Sequence, residues 1–230
     1  MVKNKHMKIT IPESLEEMTL EQLIELGDIK DATEQADYVI KEICKVNPAK
    51  VHPEDKLPIL ATINHYMTEN KVSSAPLHFE TNGRKFSTLK NLLNIKVRHF
   101  IELVNSKVDG DSLSNYHLVA ACMYREDWSK EFDEDEVIDN AGMFYESSSK
   151  FSFWGVEKYS ELVSLLQSTY PILYEGKQEN KESEGRRAYS MLNGLAKDDP
   201  TKWKVAENLE LWRAFVWMEE KEIERQNTKQ

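Results

Sequence analysis

The chain reads as a mainly α protein, a helical assembly of one or two lobes with a small β-hairpin around Asn82-Gly83 and a C-terminal helical pair. Three observations predict this. Apolar residues recur at three- and four-residue steps through most of the sequence, the period of helices with one buried face. Only eight Gly and seven Pro occur in 230 residues, whereas a sandwich or barrel needs a turn about every 8–12 residues. Leu77–Thr81 and Arg84–Thr88 flank Asn82-Gly83, the dipeptide that best tolerates positive φ at both centres of a tight hairpin turn.

Taken in order, residues 1–10 read as a loose basic arm. Pro12 and Ser14 open a first helix, supported by a capping-box spacing from Thr19 to Gln22 and stopped at Gly27. A second helix is expected from Asp31 to Val46, ended by Asn47-Pro48, and a third from about Pro53 to Glu69. Residues 70–76 form a linker. In the hairpin that follows, Phe79 and Phe86 are placed to pack across the pair; alone it is marginal in water, so it must lie on the helical body or on a partner. Helical signal resumes at Asn94, again over Leu113–Tyr124, Asp133–Phe144 and Trp154–Gln167. The stretch 176–187 is almost wholly polar and reads as a mobile loop. These breaks divide the chain into a helical lobe at 1–72, a hairpin with a second helical lobe at 77–175, and a helical pair at 188–230. Ile24-Glu-Leu26 recurs as Ile101-Glu-Leu103, and Tyr38 and Cys44 are echoed by Tyr116 and Cys122, a pattern expected of two similar lobes joined near residue 75.

Composition bounds the chemistry. Apolar residues make up 40% of the chain and aromatics 10%, enough for a real core. The net charge of −10 disfavours nucleic acid, because phosphate contacts need clustered Lys and Arg. No run approaches the roughly 18–20 apolar residues of a membrane span. The N-terminus lacks the apolar stretch of a signal peptide, which predicts a cytosolic protein. Cys44 and Cys122 lie far apart, as free thiols would. Six dispersed histidines form no zinc pair, the acidic run at 131–139 lacks the glycine and spacing of a calcium loop, and no nucleophile or phosphate-loop motif occurs. No catalytic residue, cofactor or metal site is therefore assigned.

Adhesion is the chemistry on offer. Asp199-Pro200 opens a helix carrying Trp203, Leu209, Trp212, Phe215, Val216 and Trp217, with Pro favoured at the first helical position. Large aromatics on an exposed face act as interface anchors, so these six residues are the candidate partner-binding set, with core packing as the competing role.

Several segments together resemble a family of small helical tail-assembly or morphogenesis proteins of tailed phages, crAss-like phages among them. The resemblance rests on Ile11 to Leu26 (Ile-Pro-x-x-Leu-x-x-Met-Thr-Leu-x-Gln-Leu-Ile-Glu-Leu), on the hairpin and helix from Phe79 to Leu103, and on Leu118-Val-Ala-Ala-Cys-Met-Tyr-Arg125 before an acidic run. The closing pattern Leu-Ala-x-x-Asp-x-x-Lys at Leu195 to Lys202 completes it. It implies a non-enzymatic tail-assembly chaperone whose partner is a phage tail or neck protein, located in the host cytoplasm or the virion. Two alternatives stand beside it, a structural component of the neck or tail ring and a phage enzyme or host-interaction protein.

Overall fold

Thr19 illustrates how local chemistry sets the elements. Its hydroxyl accepts from Gln22 N at 3.1 Å while the Gln22 side chain accepts from Thr19 N at 3.0 Å, a reciprocal cap that starts helix α1, Leu20–Asp28. The computed structural model describes residues 9–69, 72–107, 113–174, 191–197 and 199–228. After α1 come α2 (Ala32–Tyr38), α3 (Pro53–Glu69), α4 (Val97–Lys107), α5 (Tyr116–Met123), α6 (Glu134–Glu146) and α7 (Ser149–Thr169). Residues 191–195 are helical (α8), followed by α9 (Trp203–Glu207) and α10 (Leu211–Asn227). The hairpin pairs β1 (His78–Thr81) with β2 (Arg84–Ser87), antiparallel, with Phe79 opposite Phe86. The fold is mainly α, as the sequence predicts.

Several boundaries differ from the expected ones. The first predicted helix is two pieces, a 3-10 turn at Leu15–Glu17 and then α1, because Met18 and Thr19 leave helical geometry to form the cap. Gly27 lies inside α1 rather than ending it. The second helix passes into a π-helical turn at Val39–Ile43. The fourth starts only at Val97, since Asn91 caps a separate 3-10 turn at Leu92–Asn94. Of the arm expected at 1–10, residues 1–8 lie outside the described residues, as does the whole polar loop expected at 176–187.

The turn carries φ of 50° at Asn82 and 74° at Gly83, the positive pair that this turn requires. The hairpin is then clamped by aromatics. The Phe79 ring lies 5.5 Å from Phe86, 4.8 Å from Phe151 and 4.9 Å from Tyr124, centroid to centroid. Residues 72–76 are tied to the body, with Trp154 Nε1 donating to Ser73 O at 2.6 Å and Tyr124 OH to Pro76 O at 2.7 Å.

Two apolar clusters form the core. One gathers Leu15, Met18, Leu23 and Leu26 with Ala36, Val39, Ile40 and residues of α3 such as Ile59 and Ile63. The other runs from Phe86 through α4–α7 to Met191, Leu192, Leu211 and Phe215. Buried Ser149 joins them, its Oγ donating to Leu15 O at 2.6 Å and its N–H to Met18 O at 2.7 Å.

The echoed tripeptide marks a repeated local structure. A 3-10 turn, two intervening residues and a helix occur at Leu15–Asp28 and again, at the same offset as Ile24 to Ile101, at Leu92–Lys107. Thr19 pairs with Ser148 at the start of α7, and Lys96 pairs with Glu210 at the start of α10. The second echo does not extend it. Tyr38 ends α2 and Cys44 follows the π-turn, while Tyr116 and Cys122 share α5.

Candidate partner-binding surface

The closing segment is built from its caps upward. Asp199 Oδ1 accepts from Thr201 N at 3.0 Å and from Thr201 Oγ1 at 2.7 Å, and Pro200 opens a 3-10 turn that leads into α9. The sequence predicts one helix from here through Trp217; the structure breaks it at Asn208–Glu210. The cause is a long-range pairing. Val97 N donates to Leu209 O at 2.9 Å and Leu211 N to Ile95 O at 2.7 Å, so this backbone is spent on α4's approach instead of on helix.

The break sorts the six predicted residues. Phe215 is buried, its ring 5.4 Å from Tyr170 and 5.8 Å from Phe100. Leu209 and Trp203 are partly buried against the larger cluster. Trp217 leans on α8, where a Cβ added to Gly194 would come within 2.3 Å of its indole. Trp212 and Val216 face solvent, 37% and 36% exposed. Ile223, which the sequence reading did not single out, is 41% exposed. On a helix of 3.6 residues per turn these three fall within about 40° of one another, so they share one face, a stripe that half-buried Glu219 interrupts between Val216 and Ile223. Its signal in the sequence is the i, i+4, i+11 spacing from Trp212. The opposite side of α10 holds Leu211, Ala214 and Phe215 in the core.

The charged residues around this segment brace it. Arg98 on α4 lies 2.9 Å from Glu102 and 3.5 Å from Glu207 on α9, while Lys204 on α9 lies 3.3 Å from Glu131. Burial holds the Glu102 carboxyl above the usual range, opposed by the Arg98 charge.

A second polar cluster lies inside the molecule. Arg125, 1% exposed, donates to Glu136 Oε2 at 2.6 Å, Glu131 O at 3.1 Å and Lys130 O at 3.3 Å. Its remaining contact is His99 Nε2 at 3.0 Å. A guanidinium cannot accept, so Nε2 accepts and the ring proton sits on Nδ1. Burial, reinforced by the Arg125 charge, pushes the His99 pKa down to about 3. The backbone of Arg125 pairs with Ser87 in both directions, at 2.8 and 3.0 Å. This cluster therefore cross-links the hairpin, α4 and the start of α6. The acidic run at 131–139 thus sends one member, Glu136, inward.

Among the described residues, no group of three His, Cys, Asp or Glu side chains is placed to hold a metal ion, and no helix is long and apolar enough to cross a membrane. Cys122 is buried and its thiol pushed up to about 12, chiefly by burial. In comparisons with known proteins, no family model, curated protein or solved structure matches this chain.

Proposed function

We propose that this chain is a non-enzymatic morphogenesis protein of a tailed phage, a tail-assembly chaperone that shields a tail protein until it polymerises. The observation that carries the reading is the outer face of α10. Trp212, Val216 and Ile223 line up in solvent on a helix whose other side is fixed in the core. An apolar stripe held on a rigid support receives an amphipathic segment without reorganising, which keeps the cost of binding low. The resemblance of Ile11–Leu26, Phe79–Leu103, Leu118–Arg125 and Leu195–Lys202 to phage tail-assembly proteins supports the choice of a tail protein as the occupant.

Binding to purified tail proteins of a tailed phage tests it. Neither Trp212 nor Val216 belongs to either buried cluster, so the helical circular dichroism should persist when both are replaced by Ala. Affinity for the tail protein should fall by about 2 kcal/mol, roughly thirtyfold, if Trp212 is a hot spot. Unchanged affinity in a folded double variant contradicts the assignment of this face.

A further inference from the structure

The apolar stripe of α10 is flanked on its solvent side by two opposite charges. The Arg213 side chain is 57% exposed, bonded within its own helix to Glu210 at 3.2 Å and held 5.2 Å from the Trp212 ring centroid. Glu220 is exposed and engages no other group among the described residues. From Glu220 to Thr228 every residue but Glu222 is exposed, so the last turns of α10 have space around them. Ile223 lies in this stretch, an apolar side chain 41% exposed.

A face with a cation at one end and an anion two turns later is self-complementary under a two-fold axis. We propose that this face of α10 pairs antiparallel with the same face of a second copy, the axis passing near Val216 and Trp217. Arg213 then meets Glu220 of the partner subunit, and the partner's Arg213 meets Glu220, while Val216 lies at the axis against its own copy. Parallel pairing would place Arg213 against Arg213 and Glu220 against Glu220, so charge selects the antiparallel arrangement. The stripe is narrow, so the dimer is concentration-dependent, not obligate. The inference rests on the reading of this face as adhesive and deepens it: a tail protein and a second copy compete for one surface, and dimerisation covers the stripe until the client arrives.

Sedimentation equilibrium of the full chain over a rising concentration series tests this, with helicity checked for each variant. The mass should climb from one chain to two. R213E and E220R should each weaken the dimer about tenfold or more, and R213E/E220R should restore it, because the swapped pair is again complementary. If either single variant loses helicity, Val216→Asp takes its place and should give a monomer. A monomer at every concentration overturns the proposal, and so does a dimer that none of these substitutions weakens. The measurement uses the purified chain alone. A missing dimer therefore leaves tail-protein binding standing, and missing tail-protein binding leaves the dimer standing.

Discussion

Arg125 carries a full charge into the larger core, and its surroundings show how a single residue can organise three elements. A buried cation is costly unless it is hydrogen-bonded and a counter-charge is near; Glu136, two carbonyls and His99 engage both terminal nitrogens of Arg125, while its Nε is buried without a partner. The sequence shows Arg125 only as the end of an apolar helix, because every one of these partners depends on folded geometry. His99 yields a prediction. Its folded pKa of about 3 lies below the ordinary 6.5, so between those values the unfolded chain takes up a proton that the folded chain refuses. Its contribution is fully present above pH 6.5 and falls away as the pH drops toward 3, by at most about 1.4 kcal/mol per pH unit. His99→Gln keeps an acceptor for Arg125 and removes the titration. Chemical denaturation from pH 7 to 4 should show a shallower loss of stability in the variant than in the parent; parallel slopes would mean that His99 protonates freely in the fold.

At the scale of elements, the tightest constraint is where α5 crosses α7. A Cβ added to Gly155 would lie 2.3 Å from Ala120 Cα, a backbone atom that cannot step aside. Gly155→Ala must therefore separate the two helices, at a cost near the upper end for overpacking, about 3 kcal/mol. A large drop in the denaturation midpoint is expected, and an unchanged midpoint would show that the helices part easily. Elements with local causes were legible from sequence. Asn82-Gly83 announced the hairpin, Thr19 and Gln22 the cap of α1, and α3 runs from Pro53 to Glu69 as expected. The break at Asn208–Glu210 was not, since it arises from pairing with Ile95–Val97, more than a hundred positions earlier. That break also explains why the candidate face was only half legible. Spacing identified the Trp-rich segment, but packing alone decides that Phe215 turns inward, that Trp212 and Val216 turn outward and that Ile223 joins them.

Over the whole molecule, charge is spread unevenly. Residues 9–69 hold thirteen Asp and Glu against five Lys, an acidic lobe unsuited to phosphate backbones, whereas the exposed stripe of α10 belongs to the other cluster's edge. Buried Ser149 and the Thr19–Ser148 bridge connect the two clusters, so the stripe is presented by a braced body. The proposed chaperone would act at this surface and leave with its client's assembly, as subunit contacts bury more area than α10 can offer. Quantitative mass spectrometry of purified virions beside the infected-cell lysate tests that most directly. The account predicts a protein abundant in the lysate and missing from the virions. A fixed copy number in every virion would contradict it and make the chain a building block of the neck or tail.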